Sequence, residues 1–428
     1  MSPQPPAASV DLEVIVMDAP RVLLVGYNGA NNTGAEALLR ADIDDVRAVL
    51  GDRVHITIPS LNPSNLRRYI REGPELEIVH IPTVFFRAMR RLVRDTDVVV
   101  LVEGSAYMDT WTPALLWFFL WATHCAHAEG KPCLAYAVDA GTLSAVNRAL
   151  VRRVASSTDL IVTRSHAAAN RLTSWGVTAP MRVTADNALT FTTDPADEGW
   201  VAREWPEAER APVGLATVDF FRFPVVIRPW GSADDCYRWP YYFSHSRSRR
   251  RAGEVLAAGY ARTADRVVER HDRPVALIAM EELDDTLSGA ILREMRHPGR
   301  ARIFSAREYD GSQLTVLLRG LELLVTSRYH AAILSLAGRV PQIAVGHDLR
   351  LASLYDELRL DDVFLRATSP AVFSDLDRCI DFLIADPHHQ DGLLRAGHRA
   401  LLDRAGRNRG LLRAFLAAHG YEAEPWAA

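Results

Sequence analysis

An arginine and a histidine two residues apart stand where an apolar strand gives way to a helix, in LLVTSRYHAAILSLAGRVP at residues 323–341. The expected N-cap of that helix is Ser327 or Thr326, so Arg328 and His330 lie in its first turn. Free backbone N–H groups there attract an anion. Arginine adds a fork matched to phosphate or carboxylate, and histidine a proton donor that titrates near neutrality. The pair predicts an anion site with an acid/base group. The alternative is a structural histidine beside a surface arginine.

A glycine-rich segment, GYNGANNTGAEALL at residues 26–39, follows the first predicted strand. Gly29 allows a tight turn, Asn31 and Asn32 offer polar contacts, and Glu36 at the start of the next helix is expected in a cleft. The spacing is not GxGxxG, and the next strand ends in serine instead of a ribose-binding acid, which argues against a nicotinamide cofactor. A ligand-binding loop is favoured over a simple strand-to-helix turn.

Further polar side chains follow other apolar strands. Glu103, Ser105 and Asp109 come after DVVVLV and could hydrogen-bond a polyol, although loops are polar in any case. Arg164 and Asp186 also follow apolar strands. For these two, ion pairing or helix capping is as well supported as contact with a substrate.

The second half of the chain offers a similar set. Arg228 is predicted to end VVIRPW, the first strand of a second domain, and to face the cleft, while Trp230 could stack on a sugar. Glu281 lies just past another strand. The basic run at 247–251 is interpreted as a solvated loop, with contact to the phosphates of an acceptor or to nucleic acid as alternatives.

Length and composition limit the chemistry. The 428 residues exceed what one hydrophobic core supports, about 250 to 300 residues, so two domains are expected. A formal charge of −4 gives no global field that would gather nucleic acid or an anionic membrane. Lys131 is the only lysine, and it precedes Pro132, which fits neither a Walker A loop nor a Schiff base. The four cysteines lack CxxC spacing, which indicates a reducing compartment and no structural zinc.

The elements that must position these residues alternate between strands rich in Val, Ile and Leu and helical stretches. This pattern predicts an α/β fold of two Rossmann-like, doubly wound domains that face a cleft. The expected division is a disordered tail at 1–19, an acceptor-side domain at 20–195, a linker at 196–212 and a donor-side domain at 213–428. The last helices either stay with the second domain or return to the first. Binding residues are expected at the carboxyl ends of the strands.

Two segments bear on localisation. The start, MSPQPPAASVDLEVIVMDAP, lacks the basic and apolar regions of a signal peptide, so a cytoplasmic protein is expected. The most apolar window, WTPALLWFFLWATHCAHA at 111–128, is too short to span a bilayer. Thr112 and Pro113 predict its N-cap and first helical residue. A buried core helix is favoured over a surface that meets a lipid or a partner.

Taken in order, six segments resemble the polysaccharide pyruvyl transferase family: GYNGANNTGAEALL, VEGSAYMD, RSHAAANRLTSWGV, TADNALTF, VVIRPW and SRYHAAILSLAGRVPQIAVGHDLRLASLYDELRL. The resemblance extends over Val22 to Leu360. Its most specific element is the Arg-x-His of Arg328 and His330, followed by a helix, Val-Pro, and a strand that ends in the turn containing His347.

The resemblance implies a fold like that of GT-B glycosyltransferases. It implies transfer of pyruvate from phosphoenolpyruvate, as co-substrate, to two hydroxyls of a sugar, with no metal and no redox cofactor. His330 and Arg328 are the expected catalytic residues. The expected donor site comprises Arg328, Ser327, Arg228, His347 and Glu281. The expected acceptor site comprises Gly29, Asn31, Asn32, Glu36, Glu103, Ser105, Asp109, Arg164 and Trp230.

Three positions depart from the family pattern. Ala35 replaces an aspartate before Glu36, Glu103 opens a segment that is often Gly-Gly-Gly, and Ser165 replaces an aspartate after Arg164. All lie in the domain expected to hold the acceptor. The donor chemistry is therefore expected to be retained, and the acceptor is left undefined.

The expected partners are phosphoenolpyruvate and a carbohydrate acceptor, without nucleic acid. The acceptor is a glycan, a lipid-linked sugar or a glycosylated metabolite. Peripheral contact with a lipid-linked substrate at the inner membrane face stays open, as does the oligomeric state. Two alternative functions remain. One is a GT-B glycosyltransferase that uses a nucleotide sugar and binds its ribose through Glu281. The other is a non-catalytic glycan-binding relative.

Overall fold

The structure is a computed structural model that describes residues 19–233, 237–244 and 246–421. Of the predicted tail at 1–19, all but Ala19 lies outside these ranges. The strands are β1 (Arg21–Val25), β2 (His55–Ser60), β3 (Leu76–His80), β4 (Val98–Leu101), β5 (Cys133–Val138), β6 (Leu160–Thr163), β7 (Met181–Val183), β8 (Val213–Ala216), β9 (Val225–Ile227), β10 (Tyr241–Phe243), β11 (Val275–Ala279), β12 (Ala301–Ser305), β13 (Leu323–Thr326), β14 (Gln342–Gly346) and β15 (Phe364–Arg366).

The helices alternate with these strands along the chain. They are α1 (Thr33–Leu50), α2 (Pro63–Leu66), α3 (Phe86–Arg94), α4 (Pro113–Ala128), α5 (Ala145–Ala155), α6 (His166–Ser174), α7 (Trp200–Glu204), α8 (Arg247–His271), α9 (Asp285–Glu294), α10 (Gly311–Arg319), α11 (Tyr329–Ser335), α12 (Leu349–Leu358), α13 (Val372–Ala385), α14 (Asp391–Ala405) and α15 (Arg407–Ala418).

Two parallel sheets form the frame. The N-terminal sheet has seven strands in the order β3-β2-β1-β4-β5-β6-β7, and the C-terminal sheet has six in the order β12-β11-β8-β13-β14-β15. The central strands β4 and β5 are buried at every position, as expected for strands covered by helices on both faces. The predicted α/β class with two doubly wound domains is confirmed.

One predicted strand is misplaced. The first strand of the second sheet is β8, whereas VVI of VVIRPW forms β9, which pairs antiparallel with β10 outside both large sheets. β9 lies between Pro224 and Pro229, and proline is tolerated mainly at sheet edges. Arg228 therefore follows a hairpin strand. Its backbone N–H donates to Pro240 O at 3.0 Å, and its Nη2 donates to Phe243 O at 2.9 Å.

The apolar window forms α4, with Thr112 as the N-cap and Pro113 as the first residue, as predicted. The Thr112 side chain accepts a hydrogen bond from Ala114 N. Most of the helix is buried in the N-terminal core, which confirms the favoured interpretation. Among the helices of the described ranges, none is both long and apolar enough to cross a membrane.

The chain crosses between the domains twice. After β7 it enters the C-terminal domain, where Trp200 and Trp205, in the stretch predicted as a linker, are buried against Phe304. At its end α15 lies on the N-terminal domain, where Leu412 and Phe415 join the core beneath the sheet. Both crossings therefore connect rigid, packed elements.

Candidate active site

The strand order of each sheet indicates where a ligand binds. Its direction reverses between β1 and β4 in the N-terminal sheet and between β8 and β13 in the C-terminal sheet. In open parallel sheets the binding crevice lies outside the carboxyl ends of such strands. Here the loops after these strands line one cleft between the domains. Its polar lining consists of Asn32, Glu103, Ser105, Glu281, Ser327, Arg328, His330, His347, Asp348 and Arg350.

Arg328 stands at the N-cap of α11, one residue after Ser327 and two after Thr326, the two predicted caps. The Thr326 hydroxyl accepts from the Arg328 backbone N–H at 2.9 Å and so holds the turn that leads into the helix. The Arg328 guanidinium forms a fork on Asp284, with Nε 2.9 Å from Oδ2, and its Nη1 lies 2.9 Å from Glu281 Oε2. Two carboxylates therefore fix the guanidinium at the cleft wall.

The net charge around Arg328 depends on the protonation of Asp284. Burial, reinforced by the negative charge of Glu281 and opposed by Arg328, raises the pKa of Asp284 to about 7. The same two carboxylates outweigh burial and raise the pKa of Arg328, so this side chain stays cationic. Protonation of Asp284 would leave Arg328 with more uncompensated positive charge for an anionic ligand.

His330 contacts a buried chain of ion pairs. Its Nε2 lies 3.5 Å from Asp186 Oδ2. Arg164 Nη1 donates to the same oxygen at 2.5 Å, and Arg164 Nε donates to Asp139 Oδ2 at 2.8 Å. Although burial opposes ionisation, Arg164 and His330 hold the pKa of Asp186 below its ordinary value. An ionised carboxylate thus faces the imidazole of His330.

Of the interpretations of Arg164 that the sequence left open, contact with the acceptor or ion pairing, the structure shows ion pairing. The side chain is fully buried and does not line the cleft. Its guanidinium lies 4.0 Å from the centroid of the Tyr329 ring and is held by Asp139 and Asp186. An arginine that follows a strand can instead form ion pairs with buried carboxylates. Here those carboxylates are distant from the arginine in the sequence.

His347 lies between aromatic rings at the cleft. It stacks on Phe220 with ring centroids 5.2 Å apart and meets the edge of Trp111 at 5.6 Å. Burial lowers the pKa of His347 to about 4, with Asp348 opposing and Arg328 assisting. The imidazole is therefore neutral near pH 7 and can offer one donor and one acceptor.

Arg350 is a cleft residue that the sequence analysis missed. Its Nη1 donates to Ser105 Oγ at 3.1 Å and its Nη2 to Asp348 Oδ2 at 2.8 Å. Asp348 also caps α12 by accepting from the Arg350 and Leu351 backbone N–H groups. Arg350 follows β14 closely, so the strand-end rule that selected His347 could have found it.

Several buried polar atoms of the cleft lack a hydrogen-bond partner. They are Ser327 Oγ, His330 Nε2, both ring nitrogens of His347 and Arg350 Nε. Buried polar groups are normally paired, and exceptions gathered in one place mark a site that a ligand completes. Cationic and neutral donors converge here. The cleft is therefore equipped to bind an anion.

Other predicted site residues lie elsewhere. Asp109 accepts from Ser144 N at 2.9 Å and from Asn147 Nδ2 at 2.8 Å, so it secures the start of α5. Trp230 is 74% exposed and absent from the cleft lining. Arg228, held by the hairpin, is absent as well. The structure does not bring these three side chains to the cleft lining, and their contact with substrate stays a prediction.

The glycine-rich segment mainly joins the domains. Asn31 donates to Glu282 and accepts from Arg68 Nη1 at 3.1 Å, while Gly29 lines a neighbouring cavity. Asn32 caps α1 and lines the cleft. Of this segment's predicted contacts, the cleft thus includes Asn32 but not Gly29, Asn31 or Glu36.

Glu36 is buried at the contact between α1 and α10. Its Oε1 accepts from Gly311 N, the first residue of α10, at 2.7 Å. Burial raises the pKa of Glu36 to about 8, against the stabilising effect of that hydrogen bond. The prediction that Glu36 faces the cleft is wrong, because a helix N-terminus of the other domain occupies the carboxyl group.

The departures from the family pattern divide in the same way. Ala35, Glu103 and Ser105 line the cleft. Ser165 does not, and instead caps α6 through a bond from Ala168 N. Glu103 accepts from the backbone N–H groups of Ser105 and Tyr27 at 3.0 and 3.3 Å, which fixes its carboxylate on the N-terminal side. Two of the three altered positions, Ala35 and Glu103, thus lie in the wall of the cleft.

The residues that the structure describes contain no group of three or more His, Cys, Asp or Glu side chains placed to hold a metal ion.

Comparisons with known proteins were made on sequence and on fold. A family model described as "Polysaccharide pyruvyl transferase" matches residues 32–348. The match lies within the extent of the resemblance in the sequence and confirms it. No curated protein matches the chain significantly.

Solved structures share the fold at low identity. A UDP-GlcNAc 2-epimerase from Neisseria meningitidis bound to UDP-GlcNAc is 10% identical with a TM-score of 0.59, over 93% of this chain and 100% of that one. HepE from Anabaena, in complex with UDP and glucose, is 14% identical with a TM-score of 0.55, over 93% and 99%. A UDP-GlcNAc 2-epimerase from Methanocaldococcus jannaschii is 12% identical with a TM-score of 0.54, over 89% and 98%. These likenesses bear on the fold alone and confirm the predicted GT-B-like arrangement.

Proposed function

Since the chain belongs to the polysaccharide pyruvyl transferase family, we propose that it transfers pyruvate from phosphoenolpyruvate to two hydroxyls of a carbohydrate acceptor and forms a cyclic ketal. The observation that carries the proposal is the cleft in which the cationic Arg328 meets His330, His347 and Arg350, each of which has at least one unpartnered ring or guanidinium nitrogen atom. Phosphoenolpyruvate carries a carboxylate and a phosphate, and such a set of donors suits both.

The transfer balances without an external oxidant or reductant. The enol methylene gains a proton and becomes a methyl group, while positive charge develops on the neighbouring carbon. One sugar hydroxyl adds to that carbon, the C–O bond to phosphate breaks, and the second hydroxyl closes the ring. Of the two hydroxyl protons released, one matches the proton gained by the methyl carbon and the other leaves with phosphate. We therefore propose that no metal and no redox cofactor takes part.

Arg328 and Arg350 both bind the donor, phosphoenolpyruvate. They enter the cleft from the ends of different strands, β13 and β14, and each is fixed by a carboxylate behind it. A guanidinium held in this way is oriented before the ligand arrives, which reduces the entropy lost on binding. Charge-assisted hydrogen bonds to phosphate and carboxylate oxygens are the strong kind.

His330 acts as the general acid and the general base of the transfer. It is adjacent to the Arg328 site on α11, and its Nε2 lies 3.5 Å from Asp186 Oδ2. The imidazolium donates to the methylene carbon or the leaving phosphate, and the neutral ring then accepts a hydroxyl proton. Such a group typically contributes about 10²- to 10⁴-fold to the rate.

The test is ligand-dependent stabilisation followed by product analysis. Phosphoenolpyruvate at 100 times its Kd should add about 2.7 kcal/mol of stability. Arg350→Gln should lose most of that shift, while Arg399→Gln, at an exposed position on α14, should keep it. With a sugar acceptor, phosphate should be released and the sugar should gain the mass of pyruvate less water.

Stabilisation by UDP or UDP-GlcNAc, with none by phosphoenolpyruvate, would overturn the proposal in favour of a nucleotide-sugar enzyme. Retained sugar binding without any donor binding would instead indicate a non-catalytic glycan-binding protein.

A further inference from the structure

A second cavity adjoins the cleft on the side of the N-terminal domain. It is formed by the loops after β1, β2 and β3, the start of α4 and the β9–β10 hairpin. Tyr27, Leu115 and Tyr237 line both the cavity and the cleft, so the two spaces share a wall. A group bound in the cleft can therefore extend into the cavity.

The walls of this cavity are apolar. They include Leu61, Ile81, Phe85 and Phe118, and no charged side chain of the described ranges lines it. This lining contrasts with that of the adjoining cleft, which carries arginines, histidines and carboxylates.

The serine and threonine hydroxyl groups that line the cavity are engaged within the protein. The Ser60 hydroxyl donates to Asn28 O at 2.9 Å, and the Thr83 hydroxyl donates to Trp239 O at 3.0 Å. Thr112 accepts from Ala114 N at 3.2 Å. A sugar ring placed here would bury hydroxyl groups with few partners, at a cost in free energy. A hydrocarbon group meets no such cost.

We propose that this cavity is a subsite for an apolar group attached to the acceptor sugar, so that the acceptor is a glycoside with an apolar aglycone. The inference rests on the proposed function, because the cleft supplies the place where the sugar reacts. The sugar lies against Glu103 and Ser105 in the cleft, and the aglycone passes Tyr27 and Leu115 into the cavity.

The surroundings of the cavity suit an apolar ligand as well. Leu61, Val84 and Phe86 are exposed by 38%, 47% and 39%. Phe85, which lines the cavity, contacts Phe118 within it and Phe86 outside it, with ring centroids 5.1 and 4.5 Å apart. The aromatic surface thus continues from the cavity to the outside of the domain.

The experiment is a chain-length series. Binding of n-alkyl β-glucosides from methyl to octyl, below their micelle concentrations, is measured by calorimetry with and without phosphoenolpyruvate. Each added CH₂ should strengthen binding about 3- to 4-fold until the cavity is full. An affinity that does not depend on chain length would overturn the inference.

Two matched variants test whether the alkyl chain binds in the cavity. Leu61→Asp places a charge in the cavity wall at a position that is 38% exposed, and it should weaken octyl glucoside at least 10-fold while methyl glucoside is unaffected. Leu402→Asp, at a 37% exposed position on α14 away from the cavity, should leave the series unchanged. Equal losses in both variants would count against the cavity as the binding place.

The two proposals fail separately. A flat series with retained binding of phosphoenolpyruvate overturns the aglycone subsite alone. A chain-length dependence without any phosphoenolpyruvate binding overturns the pyruvyl transfer alone.

The apolar group can come from a membrane lipid or from a soluble metabolite, and one further arm separates these sources. The helix α3, which begins beside the cavity, carries Arg87 and Arg91. Once the chain-length dependence is found, co-sedimentation is measured with vesicles of phosphatidylcholine and phosphatidylglycerol. Salt-sensitive binding that Arg87→Glu with Arg91→Glu abolishes assigns a lipid-borne acceptor. Absence of binding assigns a soluble glycoside.

Discussion

At the scale of single residues, the position of His330 in the cleft depends on a chain of buried charged side chains. His330 contacts Asp186, which contacts Arg164, which contacts Asp139. Burying three charges together is tolerable because each is paired, whereas removal of one member would leave its partner uncompensated. The chain behind His330 therefore positions the ring, and His330 is the member that faces the cleft.

Replacement of His330 by alanine tests that assignment. Turnover should fall about 10²- to 10⁴-fold because the proton-transfer group is lost. The affinity for phosphoenolpyruvate should change little because Arg328 and Arg350 hold the donor, whereas the thermal midpoint should fall because Asp186 loses its contact with the ring. The measurement is phosphate release under saturating donor. Unchanged turnover would remove His330 from this role.

Residue-scale prediction from sequence worked where the loop after a strand opens onto the cleft. Glu103, Ser105, Glu281, His330 and His347 were selected because each follows a strand, and the structure places them in one cleft. This placement leaves their predicted roles in binding and catalysis as predictions.

Selection of polar residues that follow a strand failed where the side chain pairs with a residue far away in the sequence. Glu36 meets Gly311, which is 275 positions away, and Arg164 meets Asp139 and Asp186. A single sequence does not reveal such pairings, because no local pattern connects the partners.

At the scale of elements, α1 and α11 meet at a point where only glycine fits. A Cβ on Gly34, in the first turn of α1, would lie 2.1 Å from His330 Nδ1. The N-terminal domain therefore sets the position of a ring carried by the C-terminal domain.

Gly34→Ala should lower both turnover and thermal stability. Alanine favours the helix by about 0.5 to 1 kcal/mol relative to glycine. Its Cβ would, however, lie 2.1 Å from His330 Nδ1 and 2.7 Å from His330 Cβ, so the ring and the start of α11 must both shift. Gly289→Ala is the control, because the nearest atom to its Cβ belongs to the flexible Arg293 side chain at 3.3 Å. Equal activity of the two variants would contradict the packing of the imidazole against α1.

Strand and helix types were largely predictable, and their sheet partners were not. Runs of Val, Ile and Leu identified the buried parallel strands, and Thr112-Pro113 identified the start of α4. The segment Val225–Ile227 has the same composition but forms a hairpin strand. Composition reports that a segment fits an extended conformation, and tertiary contacts decide which sheet it joins.

At the scale of the whole molecule, the domain contact responds to pH. The pKa of Glu36 is about 8 in the folded protein because of burial, against an ordinary value of 4.5. The folded state therefore binds the proton more tightly, and the contribution of Glu36 to the free energy of unfolding falls as the pH rises from about 4.5 to about 8.

Glu36→Gln should remove this dependence, because glutamine stays neutral and can still accept the bond from Gly311 N. The stability difference between variant and wild type should widen with rising pH by at most about 1.4 kcal/mol per unit, and level off above about pH 8. Denaturant unfolding across that range measures it. Glu254→Gln, at an exposed position on α8, is the control. Parallel stability curves for wild type and Glu36→Gln would contradict the buried state of the carboxyl group.

The two crossings between the domains run side by side. Asn408, at the start of α15, donates to Asn187 Oδ1 at 3.2 Å, and Arg404 Nε donates to Thr184 O at 3.1 Å. These hydrogen bonds tie the second crossing directly to the first. The two connections between the domains are therefore mechanically coupled, so a displacement of one crossing would be transmitted to the other.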